Sequence, residues 1–173
     1  MELRRLHIGG EEVKDGWELL NIKEVEGVDY KYDAADLSRL GKQTYDEVYA
    51  SHVLEHFDYA GAIFNALKQW RRVLKWGGKL YISVPDMDIL CRSFVGADVK
   101  TQFEIMRIIF GGHTDRYDYH LVGLNFNLLS DLLTRAGFSD IERVKEFGIF
   151  KDCSSMPISL NVTARKIRND KSI

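Results

Sequence analysis

The sequence predicts an α/β domain built on a mostly parallel sheet. Three observations carry that expectation. Short strand-like runs in the first half each end at a turn, an amphipathic helix leads through a Gly-Gly pair into a buried strand, and two strands close the chain. At 173 residues the length suits one domain that can bury a core without disulfides. That domain is assigned to residues 1–166, with a frayed tail at 167–173.

The first four strands are read as LRRLHI ending at Ile8, WELLNI ending at Ile22, VDYKY ending near Tyr32 and EVYAS ending at Ser51. Residues 58–74 have helical spacing: Ile63, Leu67, Trp70 and Leu74 share one face, and Lys68, Gln69, Arg71 and Arg72 lie towards the other. Gly77-Gly78 is read as the stop of that helix, and KLYISV as a strand running to Pro85. Val99, Phe103, Met106 and Phe110 fit a second amphipathic helix closed by Gly111-Gly112. Asn127 is read as the cap of a helix running through Ala136, with Gly137 at its end. Two strands remain, near residues 140–144 and 160–165. About ten residues separate Gly9 from Glu18, too few for a normal crossover helix, so the first strand-to-strand unit is abbreviated and one sheet face thinly covered.

A net charge of −2 provides no global basic field, which argues against nucleic acid as a partner. No apolar run reaches the length of a membrane span or a signal peptide. Cys91 and Cys153 form neither a disulfide framework nor a CxxC pair, and are read as small buried or half-buried thiols. The default setting is cytoplasmic, and the oligomeric state is left open.

Reactive side chains gather where strands end, the edge at which open α/β sheets bind ligands. Gly9-Gly10 permits close approach of backbone to a ligand. Asn21 can hydrogen-bond a hydroxyl, and Asp33, beside Ala34, can accept from an amino group. Taken singly, each reads more readily as a polar turn residue. The run YDEVYASHVLEHF, residues 45–57, ends a strand in Ser51-His52 and continues into H-x-x-E-H. On a helix His52, Glu55 and His56 share a face and could converge on a divalent metal. The preferred reading is a helix N-terminus with Glu55 complementing the dipole and no metal assigned. The same string is the inverted zinc-hydrolase signature, which needs a different surrounding fold. Asp86 and Asp88 follow the fifth strand. His113, Asp115, Tyr117 and His120 lie on a loop that could fold over the site, and His120 is the first choice there for a proton acceptor.

In order and spacing, HIGGE, LLN, YDAADL, YDEVYASHVLEHF and WGGKLYISVPD resemble the small class I S-adenosylmethionine-dependent methyltransferases of the type 11 kind. The resemblance covers roughly residues 3–90, and GFSDIERV and SLNVTARK match the closing strand pair. It implies a Rossmann-like fold with a seven-strand sheet and S-adenosylmethionine as cofactor. Gly9 and Gly10 would lie under the methionine portion, Asn21 would face the ribose, and Asp33 and Ala34 the adenine. Ser51 and His52 would line the methionine end, with His120 and His52 as the catalytic candidates. The implied reaction is methyl transfer to a small-molecule acceptor, of which a sugar-type hydroxyl is one form.

Two departures from the family pattern support a second reading. The turn reads Gly9-Gly10-Glu11 rather than Gly-x-Gly, which sets an acidic side chain near the cofactor carboxylate, and Asn21 replaces the ribose-binding acid. A non-catalytic binding or scaffold protein on the same fold would tolerate both. A nicotinamide oxidoreductase is disfavoured, because both GxGxxG and a Tyr-x-x-x-Lys pair are missing.

Overall fold

The computed structural model describes residues 3–168, so most of the expected tail lies outside the described residues. Seven strands among them form one sheet: β1 (Arg5–Ile8), β2 (Trp17–Asn21), β3 (Tyr30–Lys31), β4 (Tyr45–Ser51), β5 (Leu74–Pro85), β6 (Ser139–Val144) and β7 (Ser159–Arg165). Their spatial order is β3-β2-β1-β4-β5-β7-β6. Pairing is parallel from β3 through β5, and β7 runs antiparallel to both β5 and β6. The chain order reverses beside β1: β2 lies on one side of it and β4 on the other. Such a switch point opens a crevice at the carboxyl ends of the strands.

Four α-helices among the described residues accompany the sheet: α1 (Ala62–Val73), α2 (Met87–Phe94), α3 (Val99–Phe110) and α4 (Phe126–Arg135). Strand alternation sends Leu6, Ile8, Leu20, Val48, Ala50, Leu80, Ile82, Val162 and Ala164 into one core with Ile63, Leu67 and Trp70 of α1 and Leu129 and Leu133 of α4. Trp70 is fully buried, and its indole N–H donates to the Ala34 carbonyl at 2.8 Å. That bond ties α1 to the turn after β3.

On the opposite face no helix links β1 to β2, as the short spacing predicts. His7, Trp17 and Tyr49 are instead roofed by Phe150, whose ring lies 3.9 Å from His7, 5.2 Å from Trp17 and 4.8 Å from Tyr49. Phe147 packs edge-on against Tyr49 and Tyr81. The loop between β6 and β7 therefore takes the place of a crossover helix.

Several local expectations are corrected. The first helix is shorter than residues 58–74, and Gly77-Gly78 lie inside β5 rather than at its end. There Gly77 N–H donates to the Lys166 carbonyl at 2.7 Å. Asn125, not Asn127, caps α4, accepting from Leu128 N–H at 3.0 Å. Helix α2 was not anticipated; Asp86 caps it through Asp88 N–H. Residues 54–56 form one 3-10 turn rather than an α-helix, which leaves His52 outside any helical face. Cys91 and Cys153 are exposed free thiols, not buried ones. None of the described helices is long and apolar enough to cross a membrane.

Candidate active site

Strands β1 and β4 pair in parallel, with Ile8 opposite Ala50, so the turns that follow them face one crevice. A cavity of about 570 Å³ opens there, lined by Gly9, Glu11, Asn21, Asp33, Ala34 and His52 among others. Its size falls within the ordinary range of small-molecule sites. Its apolar walls are Leu20, Ile22, Val53 and Phe57, and its outer wall is the segment from Arg116 to Tyr119 with Leu121.

Each predicted residue has a definite place. Gly9 adopts φ +76°, and a Cβ there would lie 2.3 Å from Val53 Cγ2. Both the backbone conformation and the close approach therefore require glycine. Asn21 is buried, donating to the Gly10 carbonyl at 2.8 Å and accepting from Lys23 N–H at 2.8 Å. It clamps the β1 turn to the end of β2 while still lining the cavity. Asp33 accepts from Ala35 N–H at 2.8 Å through one carboxylate oxygen and lines the cavity. His52 has φ +54°, an uncommon conformation for a side-chain-bearing residue and one concentrated at functional sites. Its backbone N–H donates to the Ser83 carbonyl at 2.8 Å.

Gly10 and Ser51 are not part of the lining. The open side of Gly10 is filled by the His7 imidazole, which would lie 2.0 Å from an added Cβ. His7 is buried and its Nδ1 has no hydrogen-bond partner. Burial outweighs the nearby Asp152 and Glu12 carboxylates and pushes the imidazole down from 6.5 to about 4. Between those values the unfolded chain binds a proton that the folded chain refuses, so stability falls as pH drops through that window, by about 3 kcal/mol. Urea melts at pH 7 and pH 4.5 should show this loss, and His7→Leu should reduce it. An equal loss in the variant would place the acid sensitivity elsewhere.

The loop after α3 folds over the cavity as expected, although its histidines do not point into it. His113 stacks on Tyr119 at 4.1 Å. His120 lies behind His56, ring centroids 4.8 Å apart, and lines a smaller adjoining cavity of about 290 Å³ together with His52, Glu104, Arg107 and Asp118. Burial lowers the His120 pKa despite the neighbouring Glu55. The loop is anchored twice: Leu121 N–H donates to the Glu55 carbonyl at 2.8 Å, and Asp115 pairs with Lys23 at 2.6 Å. Lys23, Phe57, Arg116, Asp118 and Tyr119 were not among the predicted site residues. Lys23 alone carried a sequence signal, two positions beyond Asn21 at a strand end. The rest reach the cavity only through the loop's path.

Comparison with known proteins agrees with this architecture. A methyltransferase domain family model matches residues 6–82, which span β1 into β5 and every predicted cofactor contact. No curated protein matches the sequence. Among solved structures, a Thermotoga maritima S-adenosylmethionine-dependent methyltransferase, possible histamine N-methyltransferase, superposes with a TM-score of 0.60 at 18% identity, covering 96% of this chain and 83% of its own. Burkholderia thailandensis 1,6-didemethyltoxoflavin-N1-methyltransferase, solved with 1,6-didemethyltoxoflavin and S-adenosylhomocysteine, gives 0.61 at 17% identity, covering 96% and 72%. A possible exported protein from Bordetella parapertussis gives 0.61 at 14% identity, and this chain, 96% covered, spans only 62% of it. The match over residues 6–82 and the shared fold make this chain similar to S-adenosylmethionine-dependent methyltransferases.

Proposed function

We propose that the chain is a methyltransferase that binds S-adenosylmethionine in the larger cavity and a small-molecule hydroxyl acceptor in the smaller one. The observation that carries this reading is the convergence of Gly9, Asn21, Asp33, Ala34 and His52 on one cavity at the carboxyl ends of β1 to β4. These residues fit the group. Asp33 supplies an acceptor for an amino group, Asn21 and Lys23 supply hydroxyl-bonding groups, and Val53 and Phe57 supply an apolar wall. The cofactor, when bound, provides an electrophilic methyl group on a sulfonium.

The chain's own work is positioning, exclusion of water and removal of one proton. The segment 116–119, with Leu121, forms one wall of the cavity. His52 lines both cavities and is one candidate proton acceptor at their junction. His120 faces the smaller cavity and is the other; burial keeps it neutral near pH 7 and so able to accept. The polar lining of that cavity, Glu104, Arg107 and Asp118, suits an acceptor rich in hydroxyls, such as a sugar.

Titration calorimetry with S-adenosylmethionine and S-adenosylhomocysteine tests the reading. Binding of both is expected, and Asp33→Ala should weaken it by about ten-fold, the worth of one hydrogen bond to a buried polar group. No binding at millimolar ligand would retire the enzyme. It would leave the second reading, a binding or scaffold protein, which Glu11 favours by setting a carboxylate in the cavity wall beside Gly9.

A further inference from the structure

Four side chains turn only hydrogen-bond acceptors toward one another in the partition between the two cavities. Glu55 is 1% exposed, and neither of its carboxylate oxygens has a hydrogen-bond partner. His56 Nδ1 lies 3.0 Å from the Tyr119 carbonyl oxygen and His120 Nδ1 lies 2.8 Å from that of Ile108. A carbonyl oxygen only accepts, so both rings carry hydrogen on Nδ1 and hold their lone pairs on Nε2. His120 Nε2 stands 4.0 Å from Glu55 Oε1. On the other flank, the Ser159 hydroxyl donates to the Cys153 carbonyl at 2.6 Å and so must accept from His52 Nε2–H at 3.2 Å. In the neutral ring this leaves the His52 Nδ1 lone pair facing Glu55 Oε1, 3.2 Å away.

We infer that Glu55, His56 and His120 bind a divalent transition-metal cation of the zinc type, with His52 at the edge of the site. A buried carboxylate without a donor is costly, and a cation removes that cost. One ligand atom from each of the three residues already lies within 4.8 Å of the others. Zinc-to-ligand bonds near 2.1 Å would draw the donors together by about 1 Å. Two imidazoles and one carboxylate are a donor set that zinc uses with a fourth position open, and imidazole favours such metals over magnesium. The Nδ1–H bonds to backbone carbonyls are the outer contacts that orient histidine ligands and fix their tautomer.

The site stands on these contacts alone, whereas its task rests on the methyltransferase reading. With the open position facing the smaller cavity, the cation would polarise an acceptor hydroxyl and His120 would serve as ligand instead of base.

Metal-free protein titrated with Zn²⁺, and separately with Mg²⁺, tests the inference without any methyl-transfer assay. One equivalent of Zn²⁺ should bind and raise Tm, with Mg²⁺ far weaker. His56→Ala and His120→Ala should each lose about ten-fold or more in Zn²⁺ affinity. Glu55→Gln matches the wild-type volume and removes the buried charge. It should fold at least as stably as the metal-free wild type and lose the Zn²⁺-induced rise in Tm. Absence of Zn²⁺ uptake, or uptake unchanged in Glu55→Gln, overturns the site; the first would leave a proton shared between His52 and Glu55 as the occupant. Failure of S-adenosylmethionine to bind while Zn²⁺ binds would remove the methyltransferase role and leave the metal site intact.

Discussion

Gly9→Ala is expected to abolish S-adenosylmethionine binding and to lower stability by about 2–3 kcal/mol. Two costs combine. An L-residue held at φ +76° pays about 1–2 kcal/mol for the left-handed backbone. The new methyl would also stand 2.3 Å from Val53 Cγ2, so Val53 must leave its rotamer or the β1 turn must lift, at about 1 kcal/mol more. Either movement disturbs the cavity wall, since Gly9 and Val53 both belong to it. The amide of Gly9 also donates to the Leu20 carbonyl at 2.7 Å, so lifting the turn would strip a bond between β1 and β2. Adding Val53→Ala should restore only the steric part, leaving the backbone cost in place. Denaturant melts measure the first claim and calorimetry the second. Wild-type affinity in Gly9→Ala would show that the ligand does not approach this turn.

Arg143→Met is expected to cost about 2–3 kcal/mol, an unusual penalty for a side chain that is 47% exposed. The cost belongs to its partner. Asp86 is completely buried at the junction of β5 and α2, where it accepts from Asp88 N–H at 3.0 Å and from Arg143 Nη2 at 2.5 Å. Without the guanidinium, a carboxylate remains in the interior with one backbone donor. Asp86→Asn in the same background should recover much of the loss by removing the charge while keeping a capping oxygen. Thermal melts of the single and double variants give the coupling directly. An additive pair would show that the contact carries no energy of its own.

The sheet and the strand-end half of the candidate cavity lining were legible in the sequence for a shared reason. Gly9, Asn21, Asp33 and His52 each follow a short apolar run, and a parallel sheet brings such positions together whatever the loops do. Elements whose signals are short or ambiguous were lost. Helix α2 has only eight residues and one fully buried side chain, Leu90, too little to show a stripe. Gly77-Gly78 looks like a helix stop because the spacing of α1 runs straight into β5, yet the chain turns extended already at Leu74, with ψ 140°. Of two asparagines two positions apart, sequence could not say which would cap α4. The Glu55–His120 meeting was out of reach altogether. It depends on the route of the loop after α3, which is set by Leu121 bonding to the Glu55 backbone, not by any periodicity.

Because Phe150 packs on His7, Trp17 and Tyr49, the amino-terminal strands take their lid from a segment translated well after them, beyond α4. Glu12 reinforces the contact by accepting from Lys151 N–H at 3.2 Å. A nascent chain that has emerged only through α4 would thus display a wet aromatic surface, and the ligand crevice would gain this backing only once the loop after β6 has followed. Trp17 emission followed during refolding should report that late step, lagging behind the helical signal.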